Sequence, residues 1–383
     1  MLFTYLTAEL QADLGLTPTM LSLCIGISLL ATAVGGIVFG ALGDKYGRKK
    51  VLQWTIIIYS VGAFLCGLSW SFWSLVLFRI ITGVGVGGEW ATGQTYINET
   101  FPTHLRTRYG GLMQSGAPVG IILAAIVGNL ISPIIGWRFA FMLSVIPAIM
   151  VILIRSHLNE SDVWLKNKEE NKHVSFWNDL KTLVSKNYRK YFLISLVLCT
   201  FGMAAYWFTY SWLPTYLSKE RGLAIVGSTI GIIIMQCGDF AGYTSFGYVS
   251  EIIGKRLSFT IYSIIMAIGI TLITIFWDNI ISVNHLILVI LFIVGVGVGF
   301  FSGFGPLFSE LFPTKIRNTA VGTIFNVARG VQFVTPLLIT YISNYYKLSG
   351  GIFFAAIFAL LTGIWIWTFP KTDNKDINTL DNL

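Results

Sequence analysis

Gly40-Ala41-Leu42-Gly43-Asp44-Lys45-Tyr46-Gly47-Arg48-Lys49 sits between two long apolar runs, and it returns. As Gly247-Tyr248-Val249-Ser250-Glu251-Ile252-Ile253-Gly254-Lys255 it recurs 207 residues later, with glutamate for the aspartate and a lysine at the first basic position. A second stretch behaves the same way. Glu99-Thr100-Phe101-Pro102-Thr103-His104-Leu105-Arg106 recurs 211 residues on as Glu310-Leu311-Phe312-Pro313-Thr314-Lys315-Ile316-Arg317. Glycines permit a tight turn and a close helix approach. The basic residues hold such a loop on one face of a membrane, and Asp44 can accept hydrogen bonds at a nearby helix N-terminus. A generic basic turn would account for one loop. Two matches in the same order argue for a duplicated chain.

The segments around these loops are too apolar for a soluble protein. Leu21 to Leu42, Ile57 to Phe78 and Ser258 to Trp277 carry no charge, and about 18 or more such residues span a bilayer as a helix. Over the 383 residues 55% are hydrophobic and 11% charged, against about 25% charged in soluble domains. The runs predict helices at 19–42, 51–68, 72–97, 109–133, 138–154, 191–217, 224–249, 256–276, 283–309, 318–345 and 349–369. Met1 to Ala8 reads as the tail of a further span that is incomplete here. The fold class expected is an all-α membrane protein of two pseudo-symmetric six-helix bundles with a truncated first helix. Residues 1–154 form one bundle and 191–370 the other. They are joined by a cytoplasmic linker, 155–190, and followed by a cytoplasmic tail, 371–383.

Charge sets the orientation. Of the 26 Lys and Arg, 20 fall in alternate loops on one side, four on the other and two, Arg79 and Arg329, inside spans. Lys and Arg concentrate on the cytoplasmic side, which places the linker and the C-terminus there. The net charge of +8 therefore belongs to membrane topology, and nucleic acid is not expected as a partner. Cys24, Cys66, Cys199 and Cys237 all lie in apolar runs and read as packing residues. No two of the four histidines have metal-ligand spacing, and no phosphate-binding loop of the form G-x-x-x-x-G-K-[ST] is present. Neither a cofactor, a metal nor an enzyme activity is expected, and ATP is excluded as the driving force.

On these motifs the chain resembles the major facilitator superfamily. Gly40 to Lys49 matches its G-x-x-x-D-x-x-G-R-[KR] loop at every fixed position. Arg79-Ile-Ile-Thr-Gly83-Val-Gly85 resembles its R-x-x-x-G-x-G motif. Tyr96 to Arg106 is similar to the Y-x-x-E-x-x-P-x-x-x-R stretch of the sugar-porter and organic-acid proton symporter branches. Gly87-Gly88-Glu89-Trp90 and Trp212-Leu213-Pro214-Thr215-Tyr216-Leu217 lean towards symporters of carboxylates and sialate-like acids. The resemblance implies a cytoplasmic latch of Asp44, Arg48, Glu99 and Arg106, with Glu251, Lys255, Glu310 and Arg317 as counterpart and Arg79 among the gating residues. Such latches close the inner face while the outer face is open.

Ionisable residues inside a membrane cost at least about 2.5–3.5 kcal/mol each and point to function or to a partner. Glu89 and Asp239 are candidates for proton coupling, because burial favours the neutral carboxyl; each could equally be a structural partner. Arg329 is a candidate anchor for a substrate carboxylate, or a partner for either acid. Tyr206, Trp207, Tyr210, Gln114, Asn326 and Gln332 are candidates for substrate binding. The function expected is secondary active transport of a small organic acid or sugar-like metabolite by alternating access, as proton symport. The alternatives are an uncoupled sugar carrier, a drug antiporter or a non-transporting paralogue. The partners expected are a small-molecule substrate, protons and the lipid bilayer of the plasma membrane, with the chain a monomer.

Overall fold

The computed structural model describes residues 2–170, 176–213, 216–223, 225–281 and 286–370. Among these residues every regular element is helical. In chain order they are α1 (Leu2–Tyr5), α2 (Thr7–Leu14), α3 (Pro18–Tyr46), α4 (Arg48–Gly67), α5 (Phe72–Thr100) and α6 (Arg106–Ile135). Then come α7 (Trp137–Leu143), α8 (Val145–Ser156), α9 (Asp162–Glu170), α10 (Phe176–Leu183) and α11 (Arg189–Tyr210). The chain continues with α12 (Ile225–Ile253), α13 (Lys255–Thr274), α14 (Leu286–Ser309), α15 (Arg317–Val331) and α16 (Thr335–Trp365). Eight of the described helical stretches are long and apolar enough to cross a bilayer. Pro214 and Thr215 of the Trp212–Leu217 motif and the tail 371–383 lie outside the described residues.

The duplicated loop folds twice in the same way. α3 and α12 each have 29 residues, and α4 and α13 each have 20. The joints are Gly47, with φ 102° and ψ 155°, and Gly254, with φ 82° and ψ 156°. Only glycine adopts that backbone without strain, so the repeat preserves it at both joints. Among the described residues α15 lies along α3 and α5, while α12 and α14 lie along α6. The first contact is close because α3 is glycine-lined there. A Cβ at Gly43 would collide with Asn318 Nδ2, and one at Gly36 with the Asn326 side chain.

One boundary differs from the sequence expectation. The helix expected to end near Ala8 continues to Leu14, where Gly15 stops it at φ 63°. Its polar residues are tied to the neighbouring helices. Ser132 donates to Glu9 at 2.6 Å, and Trp137 Nε1 donates to Asp13 at 3.1 Å. The Arg138 guanidinium, hydrogen-bonded to Asp13, holds that carboxyl below its ordinary range. The spans expected at 318–345 and 349–369 divide where expected, at Tyr346 and Lys347 inside α16, and a 3-10 turn, Gln332–Val334, additionally interrupts the first of them after α15. Lys347 has φ 58°, and Glu220 caps the restarted helix by accepting the Leu348 N–H at 2.7 Å.

Candidate functional site: a central cavity above a charged latch

The latch is built where both repeats meet. Arg48 forks onto Glu99, Nε to Oε2 at 3.0 Å and Nη2 to Oε1 at 2.8 Å, and its Nη1 lies 3.0 Å from Asp44. Arg317 reaches across from α15 to the same Glu99 at 3.1 Å. Asp44 crosses the other way, accepting from the Thr319 N–H at 2.8 Å, the Thr319 hydroxyl at 2.7 Å and the Asn318 N–H at 3.3 Å. It thereby caps the N-terminus of α15, where a carboxylate also meets the positive end of the helix dipole. These four charged side chains are at most 1% exposed. Two cations and two anions balance.

The expected counterpart cluster is distributed differently. Lys255 and Glu310 pair at 2.5 Å. Arg317 joins Glu99 in the first cluster, and Glu251 pairs with Arg108 of α6 at 3.0 Å. Arg106 donates to the Phe101 carbonyl at 3.2 Å and ties its own loop. Arg79 cannot belong to the latch. It precedes Glu99 by twenty residues on one helix, about 30 Å at 1.5 Å per residue. Sequence reasoning missed Glu160 and Trp164, which close the latch from the linker. Glu160 accepts the Arg48 N–H at 2.9 Å and the Lys49 N–H at 3.2 Å, while Trp164 Nε1 donates to the Asp44 carbonyl at 2.7 Å. No spacing or repeat marks either residue.

Above the latch the halves enclose a cavity of about 370 Å³. Its wall includes Arg79 and Val86 of α5, Gln114 of α6, Tyr206 and Trp207 of α11, Tyr243 of α12, Phe301 of α14, and Phe325 and Arg329 of α15. Among the described residues it contains no carboxylate. Trp90 stacks on Phe325 with ring centroids 3.4 Å apart and donates through Nε1 to Gln114. That stack joins α5 to α15 between cavity and latch. Trp90 stands in the Gly87-Gly88-Glu89-Trp90 motif, which does not show which way its ring faces.

The arginines share an arrangement. Arg329 lies 5.7 Å over the Phe325 ring and Arg79 lies 4.7 Å over the Phe3 ring. The Nε of each is buried without a hydrogen-bond acceptor.

Four expected cavity residues are placed otherwise. Glu89 accepts the Thr55 hydroxyl at 2.9 Å and so turns towards α4. Asn326 donates to the Gly87 carbonyl at 2.9 Å and the Gly322 carbonyl at 3.0 Å, locking α15 to α5. Gln332 is likewise buried, accepting from the Thr335 hydroxyl at 2.8 Å. Tyr210 stands behind the wall, donating its hydroxyl to Asp239 while stacking on Tyr206 at 4.1 Å. Asp239 is 1% exposed and communicates with the cavity through these two rings.

Comparison with known proteins agrees with this architecture. The family described as Major Facilitator Superfamily matches residues 1–246, and the one described as Sugar (and other) transporter matches 166–383. The sialic acid transporter NanX of Escherichia coli is 32% identical over 95% of this chain and 89% of its own. The cis,cis-muconate transport protein of Acinetobacter baylyi is 25% identical over 90% of this chain and 83% of its own. The solved proton:xylose symporter XylE, bound to 6-bromo-6-deoxy-D-glucose, superposes with a TM-score of 0.76 at 18% identity, over all of this chain and 94% of that one. The chain therefore belongs to the major facilitator superfamily, as an integral membrane transporter of small molecules and not an enzyme.

Proposed function

We propose that this protein is a proton-coupled symporter of a small organic acid. The observation that carries the reading is the cavity wall, which among the described residues presents guanidinium groups and no carboxylate. A cation in a low-dielectric cavity is tolerable when it faces water or a ligand of opposite charge. The Arg329 guanidinium, 5.7 Å over the Phe325 ring, lines the cavity and can fork onto a carboxylate. Relatives named for sialic acid and for cis,cis-muconate, both carboxylic acids, support the same class. Asp239 is the coupling residue in this reading. Its bond to Tyr210, and the Tyr210–Tyr206 stack, tie its charge to the cavity wall, whereas Glu89 bonds to an α4 hydroxyl.

The latch end faces the cytoplasm in this proposal, because the Lys- and Arg-rich loops lie there. Bundles 1–154 and 191–370 rock about the cavity, with 155–190 and the C-terminus inside. The test is uptake into reconstituted vesicles with and without an inward proton gradient. Wild-type protein accumulates the acid only with the gradient. Asp239→Asn keeps exchange and loses accumulation. Arg329→Lys keeps the charge, loses the fork and weakens acid binding at least tenfold. Accumulation of acid without any gradient, or uptake restricted to neutral sugars, overturns the reading.

A further inference from the structure

Asp239 is 1% exposed, so a proton reaches its carboxyl only through a neighbouring group. The side towards α14 is shut by main chain. A Cβ at Gly295 would lie 2.9 Å from Asp239 Oδ1 and collide with the Met235 carbonyl oxygen. One at Gly238 or Gly242 would collide with the carbonyl oxygen of Phe292 or Val296. The two backbones touch there, which leaves no room for water between them.

The side towards α11 is different. Tyr210 donates its hydroxyl to Asp239 Oδ1, the one hydrogen bond of this carboxyl among the described residues. Unlike Asp239, Tyr210 is partly exposed. Its ring stacks on Tyr206, which lines the cavity. Tyr243, one turn after Asp239 on α12, lines the cavity as well. Among the described residues the titratable groups that act on Asp239 are these three phenols, Tyr206 and Tyr210 from α11 and Tyr243 from its own helix. Only Tyr210 is bonded to it. A phenol hydroxyl both donates and accepts, so it can pass one proton on while it takes another.

We infer that Tyr210 is the proton relay of Asp239. Its O–H bond breaks as the proton moves to Asp239 Oδ1. A hydronium ion on the cavity side gives a proton to the same phenol oxygen and leaves as water. The phenol is restored, and the carboxylate has become a carboxyl. Release runs through the same steps in reverse. The relay rests on Asp239 as the coupling residue, and the experiment separates the two.

Sialic acid and cis,cis-muconate serve as probes in reconstituted vesicles. Exchange is read at equal pH, and initial uptake is read under an inward proton gradient over a range of external pH. Tyr210→Phe keeps the ring on Tyr206 and loses the hydroxyl. Exchange, in which Asp239 can stay protonated, is retained. Driven uptake falls at least tenfold at every pH, the scale of a lost proton-transfer group. A hydroxyl that only holds the carboxylate would, when lost, move the midpoint of the pH profile and leave the maximal rate. A smaller fall, or a moved midpoint with the maximal rate kept, therefore overturns the relay. Equal losses of exchange and driven uptake overturn it too, because Tyr210 is then packing. Gln236, one turn before Asp239 with a buried Oε1 that lacks a partner, marks the other route. Gln236→Leu leaves driven uptake unchanged, and a loss there as large as that of Tyr210→Phe overturns the relay. Accumulation by Asp239→Asn, or accumulation of neither acid by wild-type protein, overturns the coupling reading and the relay with it. Loss of accumulation in Asp239→Asn beside full driven uptake in Tyr210→Phe overturns the relay alone.

Discussion

The latch and the cavity are both built from α5 and α15, and both contain arginines, yet they treat charge in opposite ways. At the latch every guanidinium has its carboxylate: Arg48 and Arg317 share Glu99, and Asp44 caps α15. In the cavity Arg79 and Arg329 have phenyl rings and, among the described residues, no acid. Burying a charge is expensive unless it is paired. A site that serves only to hold two helices together pairs its charges internally. A site that leaves them unmatched is shaped for a partner that comes and goes. The latch also has to break for the cavity to open on that side. The bonds that cross between the halves are Arg317 to Glu99 and the Asp44 cap on α15, so moving α15 away breaks them together while Arg48 stays on Glu99.

Glu99→Gln tests the latch most severely. It removes one of two negative charges facing two buried guanidiniums, and breaking a buried pair from one side costs about 3–5 kcal/mol. The latched state loses that stability, and the opposite-facing state gains population. A Ser309→Cys reporter, buried in the latched form, should become alkylated more than tenfold faster. An unchanged rate would show that the halves are held by helix packing and not by these charges.

The sequence makes the latch legible because duplication displays it twice, and the paired joints at Gly47 and Gly254 follow from the same repeat. The cavity is less legible because depth is readable and facing is not. Side chains on one face recur at three or four residues. Phe325 and Arg329 are one turn apart and both line the cavity, as do Thr82 and Val86. Asn326, next to Phe325, points into α5, and Glu89, next to Trp90, points to α4. Polarity and depth marked all of them alike, and only the rotation about the helix sorts them. The R-x-x-x-G-x-G motif puts Arg79 among the gating residues, although its separation from Glu99 along α5 already excludes it from the latch. Glu160 and Trp164 carry no pattern at all, because a linker contact depends on where the two bundles leave the chain between them.

Asp44→Asn is a milder test. The amide oxygen still accepts at the N-terminus of α15, but the ion pair with Arg48 and part of the dipole interaction are lost. A loss of about 1–3 kcal/mol from the latched state is expected for a hydrogen bond to a charged group. Transport should fall severalfold with expression retained, and the Ser309→Cys reporter should respond less than it does to Glu99→Gln. A larger response than that variant gives would mean that the α15 cap, and not the shared glutamate, holds the latch.

Glu89→Gln carries the smallest expected effect and separates the two kinds of region most sharply. Glu89 is an acidic residue near mid-span on α5 that belongs to neither. It accepts the Thr55 hydroxyl at 2.9 Å, and a glutamine carbonyl can accept the same bond with the same reach. A neutral acceptor replacing a charged one there changes stability by at most about 1 kcal/mol. Proton-driven accumulation should stay within about twofold of wild type, while Asp239→Asn abolishes it in parallel vesicles. If instead Glu89→Gln abolishes accumulation and leaves exchange intact, the coupling proton resides on α5 against α4. The Tyr206–Tyr210–Asp239 chain would then be packing, and a charge hidden from the cavity in this conformation would have to reach it in another.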